Sequence, residues 1–168
     1  MIIQILDKAK KKKILGSTKE FGLEKVNELL IKTGKNRIRA YSGNLSTTEI
    51  MDLWRIMPIE SIGLYVARED VDKSGVRLVR LTVDALHLWE KSINEKIITL
   101  NEEQEIEWFK GKNIELDENQ RMKLEGLCGF FVIKSSNGVD FIGTAKLTKD
   151  GVLNSFLPKE RTRKTATV

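Results

Sequence analysis

At 168 residues, with 40% apolar and 32% charged residues, the chain is long enough for one ordinary domain or two small ones and apolar enough to bury a core, which excludes intrinsic disorder. A formal net charge of +5 admits a nucleic acid or an anionic surface as partner without requiring one. The single cysteine, Cys128, excludes an intramolecular disulfide and a cysteine-rich zinc site, and no stretch approaches the ~18 uninterrupted apolar residues of a membrane span. A cytoplasmic, reducing setting is expected.

Met1 to Leu6 is apolar over too short a stretch for a signal peptide. Lys8 to Lys13 is open to two readings, a solvated charge run near a terminus or an arm that contacts phosphates. From Glu20 onward, Leu23, Val26, Leu29 and Leu30 recur at helical spacing and Gly34 closes the pattern, which predicts a first helix. Arg37 to Tyr41 alternates, with Ile38 and Ala40 on one face and Arg37, Arg39 and Tyr41 on the other, as in a half-buried strand. Ser46-Thr47-Thr48-Glu49 is a capping box opening a helix that carries Ile50, Leu53, Trp54 and Met57 and is closed by Pro58. Ile59 to Val66 suits an interior strand, Arg68 to Gly75 a charged loop, and Val76 to Val83 a second alternating strand. Asp84 is placed to cap a short helix from Ala85 to Lys91. These elements predict an α/β domain over residues 1–95.

A second unit is expected over residues 96–168. Ile97 to Leu100 reads as a strand, and Asn101 followed by Glu102, Glu103 and Gln104 as a helix start with acids in its first turn. Ile106, Trp108 and Phe109 give that helix its apolar side, and Lys110-Gly111 ends it. Lys112 to Leu116 suits another strand. Phe130 to Lys134, the turn at Asn137-Gly138 and the run Val139 to Leu147, interrupted by Gly143, form a β-hairpin. Thr148 to Gly151 turns the chain again into Val152 to Leu157. Pro158 stops this strand, and a cationic tail follows. The predicted fold class is therefore α+β: an α/β domain, then a small β-barrel with one prominent helix.

Charge is distributed unevenly between these halves. Residues 1–96 carry 18 Lys and Arg against 13 Asp and Glu, whereas residues 97–168 carry 11 against 11. The second half is neutral but polarised, with eight acids between Glu102 and Glu125 and four cations, Lys159, Arg161, Arg163 and Lys164, at its end.

The segments Trp108-Phe109-Lys110-Gly111, Phe131-Val132-Ile133, Ile142-Gly143-Thr144-Ala145-Lys146, Gly151-Val152-Leu153-Asn154 and Leu157-Pro158-Lys159-Glu160-Arg161 together resemble one family. It is the PUA-type RNA-binding domain carried by RNA cytosine-C5 methyltransferases of the Sun/Fmu type, and by free-standing archaeal relatives grouped with ribosome-biogenesis proteins. The resemblance covers about residues 97 to 164 and extends weakly to Arg39–Gly43 and Leu81–Leu86. Ala145 departs from it where a second glycine is common, and Thr162 interrupts what is often a longer arginine run. The resemblance implies a PUA-like barrel whose RNA groove lies near Lys110, Gly111, Lys112, Gly143 and Lys146. It also implies structured rRNA or tRNA as partner, in RNA modification or ribosome biogenesis.

Enzyme chemistry is not expected. The sequence has no GxGxxG after a strand, no GxxxxGK[ST], no HExxH and no GxSxG. His87, within Leu86-His87-Leu88-Trp89, reads as structural, and Cys128 reads as an unreactive thiol without a base beside it. The related methyltransferases need a separate cofactor domain and a nucleophilic cysteine motif, neither of which is here, so no cofactor and no metal are expected. Tyr41 and Trp89 are open to two readings, base-stacking platforms or core packing. Gly111 and Gly143 are positions of close backbone approach to a ligand, or a bulge or barrel corner. Lys159, Arg161, Arg163 and Lys164 are expected to leave the barrel and contact phosphates. The alternative is an adaptor that docks on an RNA methyltransferase or a ribosomal protein, and no membrane partner is expected.

Overall fold

A computed structural model of the protein describes residues 3–71, 75 and 77–163. The fold is mixed α and β, with two five-stranded sheets in two compact units, Met1–Ile93 and Asn94–Val168. Among the described residues, no helix is long and apolar enough to cross a membrane.

The first unit is an antiparallel meander. Its strands β1 (Ile3–Ile5), β2 (Leu29–Thr33), β3 (Arg37–Tyr41), β4 (Leu64–Val71) and β5 (Arg77–Leu81) lie side by side in chain order. Helix α1 (Lys8–Thr18) connects β1 to β2, α2 (Thr47–Ile56) connects β3 to β4, and α3 (Val83–Leu88) follows β5. Both faces of the sheet bury apolar side chains. Ile3 and Ile31 pack with Ile50 and Trp54 of α2 on one face. Ile38, Ala67 and Leu81 share the other face by register and surround a small void with Ile14 of α1 and Trp89. On that second face Lys32 Nζ and Glu69 Oε2 stand 2.5 Å apart, largely out of solvent.

The expected first helix does not form. The lysine run is itself helical, because Asp7 caps it by accepting a hydrogen bond from Lys10 N at 2.8 Å. Gly22, at φ +89, then ends the following single 3-10 turn. Leu29 to Thr33 pair on both sides, with β1 (Ile5↔Ile31) and with β3 (Leu30↔Ala40). Their apolar spacing also fits a helix, but the partners that decide for a strand lie elsewhere in the chain. Gly34, at φ +59, serves the β2–β3 turn rather than a helix end. The second helix follows its capping box: Ser46 Oγ accepts from Glu49 N at 3.2 Å, and Ser46 N donates to Glu49 Oε2 at 2.7 Å. β4 begins later than expected and continues through Arg68–Val71, where a loop was expected; residues 72–74 of that loop lie outside the described residues. Thr82, not Asp84, caps α3, its hydroxyl accepting from Ala85 N at 3.3 Å.

The second unit contains β6 (Ile97–Thr99), α4 (Glu102–Phe109), β7 (Ile114–Glu115), α5 (Glu118–Lys123), β8 (Gly129–Lys134), β9 (Phe141–Leu147) and β10 (Val152–Ser155). The strand order is β6-β8-β9-β10-β7, with β6 parallel to β8 and the other pairs antiparallel. One core fills the concave side, built on Trp108, Phe131, Ile133, Ala145, Leu147 and Leu153.

Two glutamines link the two end strands. Gln104 and Gln120 each sit at the third position of a capping box, with Asn101 and Asp117 as the caps. Their amides bond reciprocally at 2.9 and 3.0 Å. Gln104 Nε2 also donates to Glu115 O on β7 at 2.9 Å, and Gln120 Nε2 to Thr99 O on β6 at 3.1 Å. The helix starts of α4 and α5 thus clasp each other and draw together strands that share no ladder. α5 carries no regular apolar stripe, which is why periodicity does not reveal it.

Candidate nucleic-acid interface

Helix α4 is polarised along its axis. Glu102, Glu103 and Glu105 occupy the first turn, and Lys110 and Lys112 lie just beyond the last, the arrangement a helix dipole favours. Gly111, at φ +76, turns the chain between them. Lys110 Nζ reaches Glu107 Oε1 at 2.7 Å, and Lys112 Nζ pairs with Glu107 Oε2. The hydrogen bond from Lys110, followed by that from Lys112, holds the Glu107 carboxyl below the usual carboxylate range. Exposed pairs of this kind are weak because solvent screens them, so both lysines exchange Glu107 for another anion at little cost.

As far as Arg163, the tail stays on this unit. After Pro158 it makes a 3-10 turn, Lys159–Arg161, and folds onto the end of α4. Arg163 N donates to Phe109 O at 2.7 Å, and the Arg163 guanidinium lies 4.7 Å from the Phe109 ring centroid. A Cβ on Gly111 would lie 3.0 Å from the Thr162 methyl, so the glycine admits the tail. Lys110, Gly111, Lys112 and Arg163 therefore meet in one place, with the exposed Lys159 and Arg161 a few residues upstream. Lys164 lies outside the described residues.

Gly143 is buried rather than open to a groove. Trp108 Cζ2 lies 2.5 Å from where a Cβ on Gly143 would stand, so the missing side chain is what lets Trp108 enter the core. Lys146 is exposed three residues further along β9, about 10 Å away at the strand rise, between Phe130 and Asn154 on the neighbouring strands.

The two aromatic candidates are held by packing and hydrogen bonds, whereas His87 and Cys128 are exposed. Tyr41 packs in the α2-facing core and its hydroxyl accepts from Leu45 N at 3.1 Å. Trp89 Nε1 donates to Glu28 Oε2 at 3.1 Å. His87 is exposed in the last turn of α3, and Cys128 is exposed in the segment before β8. Among the described residues, no group of three or more His, Cys, Asp or Glu side chains is placed to hold a metal ion. The lysine run is partly committed to the fold: Lys11 Nζ donates to Val26 O at 2.7 Å and to Glu28 O at 3.0 Å.

A second cationic group lies on the first sheet, and sequence reasoning misses it as a site. Arg37, Arg68 and Arg80 face each other at one register on β3, β4 and β5, and Arg39 pairs with Tyr65 beside them. The alternation of Arg37 to Tyr41 was a visible signal. The pairing that aligns Arg68 with Arg37 and Arg80 was not visible, because Arg68 reads as part of a loop.

No protein-family model matches the chain, and no curated protein matches it.

Proposed function

We propose that the protein binds RNA and leaves it chemically unchanged. The second unit is its PUA-like module and structured rRNA or tRNA its partner, in ribosome assembly or RNA modification in the cytoplasm. The observation that carries this reading is the fold-back of the tail. It sets Thr162 and Arg163 against Gly111 and Phe109, beside Lys110 and Lys112 at the end of α4, with the exposed Lys159 and Arg161 a few residues upstream. Cations exposed at a helix C-terminus and on a strap suit phosphates, which are recognised by charge without a defined base.

The test is a set of binding isotherms at several salt concentrations, using a labelled stem-loop RNA with single-stranded flanks. The variant combines Lys110→Ala, Lys112→Ala, Lys159→Ala and Arg161→Ala, and leaves the docking Arg163 in place. Each single-strand phosphate that the protein neutralises adds about 0.7 to the logarithmic salt slope, so removing four cations is expected to flatten it by up to about three units. An unchanged slope would mean that this cluster touches no phosphate.

A second reading, a protein-docking adaptor, is favoured by the end of α2, where Leu53, Ile56 and Met57 are exposed, Ile56 at 81%. A partner there would be an RNA methyltransferase or a ribosomal protein. Ile56→Asp together with Met57→Asp would then abolish partner binding and leave RNA affinity untouched.

A further inference from the structure

The first sheet presents an arrangement that folding alone does not favour. Cross-strand neighbours Arg37↔Arg68 and Arg68↔Arg80 put like charges directly opposite one another on adjacent strands. Such pairs destabilise a sheet. At ~4.8 Å between strands, the row is about 10 Å long. Arg68 Nε is 3.0 Å from Asp70 Oδ1, and Glu60 borders the same surface, so two acids stand among the arginines. Burial lowers the pKa of Arg80, an effect that Tyr65 and Asp70 oppose and Arg68 reinforces.

Tyr65 lies beside this row. The Arg37 and Arg39 guanidinium carbons are 5.9 and 6.0 Å from its ring centroid. Arg39 is held in place by Nη1, which donates to Gly63 O at 2.9 Å, and its Nε is buried without a hydrogen-bond partner among the described residues. Arg37, Arg39 and Arg68, with Lys35 of the β2–β3 turn, line a depression of ≈ 420 Å³ at the start of β3. Tyr65 is half-buried, and Arg37 and Arg68 are exposed.

Arginine rather than lysine, an aromatic ring beside the row and an open, polar depression all suit a strand of unpaired nucleotides. Planar guanidinium groups bind phosphate through two parallel N–H donors, and a ring flanked by guanidinium groups takes the face of a base. We infer that Arg37, Arg39, Arg68 and Arg80 with Tyr65 form a second RNA site, on the first unit, that takes a single-stranded segment by phosphate contacts and one stacked base. Duplex RNA is disfavoured there, because its bases are already stacked on one another and none is free for Tyr65. The inference shares with the proposed function only the class of ligand, and uses none of the residues at the end of α4.

The experiment titrates the full chain with a labelled unstructured RNA and with a blunt RNA duplex at several salt concentrations. The variants are R37Q/R68Q, Tyr65→Leu and Tyr65→Phe, with circular dichroism and thermal melting confirming that each is folded. R37Q/R68Q is expected to lower affinity for the unstructured RNA at least tenfold and flatten its logarithmic salt slope by about 1.4, at about 0.7 per phosphate. Tyr65→Leu is expected to lower affinity about tenfold with the slope unchanged, while Tyr65→Phe retains it. Duplex binding should change less than twofold in all three. The inference is overturned if R37Q/R68Q leaves affinity and slope as they were, or if Tyr65→Leu has no effect. It is equally overturned if R37Q/R68Q abolishes binding of labelled polyglutamate and leaves affinity for the unstructured RNA as it was, an outcome that would assign the face to an acidic protein. A wild-type chain that binds neither RNA would sink the proposed function as well. Weakened binding confined to the α4 cluster variant would sink the second site alone.

Discussion

The two units place their cations in physically opposite ways. In the second unit Lys110 and Lys112 stand at a helix C-terminus, where the backbone dipole favours positive charge, and Arg163 lies over an aromatic ring. In the first, Arg37, Arg68 and Arg80 are fixed by strand register directly opposite one another, against their mutual repulsion. Favourable placement needs no ligand to explain it, whereas like charges set opposite one another are offset by neighbouring acids such as Asp70, 3.0 Å from Arg68, or by a bound anion. The cores differ likewise. The first sheet buries apolar residues on both faces, and the second closes around one core with Trp108 at 0% exposure beneath Gly143.

This contrast can be broken most severely at the single core. Trp108→Ala is expected to destabilise the second unit by about 3–5 kcal/mol, measured by denaturant unfolding, whereas a loss under 1 kcal/mol would mean that the core does not depend on that ring. In the first unit, Lys32→Met removes the ion pair with Glu69, and a cost of about 1.5–3 kcal/mol is expected by the same measurement.

The clasp comes next in size. Gln104→Leu and Gln120→Leu should each cost about 0.5–1.5 kcal/mol, because backbone acceptors on β6 and β7 exchange a protein donor for water. The double variant should cost less than the sum, since the two amides bond each other. Strict additivity would show that they act separately.

Smaller effects test the charge comparison through their sign. Arg37→Thr removes the like charge opposite Arg68 while leaving the Arg68–Asp70 pair, and should raise the melting temperature of the free protein, by the equivalent of about 0.5 kcal/mol, while weakening RNA binding. Lys112→Thr removes a cation from the favourable end of a helix and should lower it by a few tenths of a kcal/mol. Equal signs in the two melts would remove the distinction between the units.

The smallest expected effect concerns acid. Glu105 accepts a hydrogen bond from Ser136 N at 2.7 Å, which, ahead of a further bond from the Ser136 side chain, lowers its pKa below 4.5. A folded-state pKa below the unfolded one adds stability at pH values above the unfolded pKa, and that stability is lost as pH falls through the folded value. Unfolding midpoints of Glu105→Gln and wild type should therefore differ near neutral pH and converge in acid. Curves that stay parallel down through pH 3 would contradict this.

Local signals in the sequence were sufficient for some of these features. The Ser46–Glu49 box, the Asn101 cap, the Asn137-Gly138 turn and the alternation of Arg37 to Tyr41 each act within a few residues, and the structure contains all four. Features that need a distant partner were not legible. Leu29 to Thr33 becomes a strand because β1 and β3 flank it, and Gly143 is explained only by Trp108, 35 positions earlier in the chain. The residues predicted at the end of α4 were adjacent in sequence and so were found together, although the return of Arg163 to Phe109 was not foreseen. The arginine row depends on the register of three strands, which composition does not encode.

The central claim is RNA binding without chemistry, and one measurement addresses both halves. The full chain is titrated with a labelled RNA carrying a stem-loop and single-stranded flanks, at salt concentrations rising from about 50 mM, and the RNA is recovered for mass spectrometry after prolonged incubation. The account predicts saturable binding whose logarithm falls linearly with the logarithm of salt, steeply enough for several phosphate contacts, and an RNA mass that does not change. Absence of saturable binding at the lowest salt, or an RNA recovered cleaved or heavier by a transferred group, would contradict it.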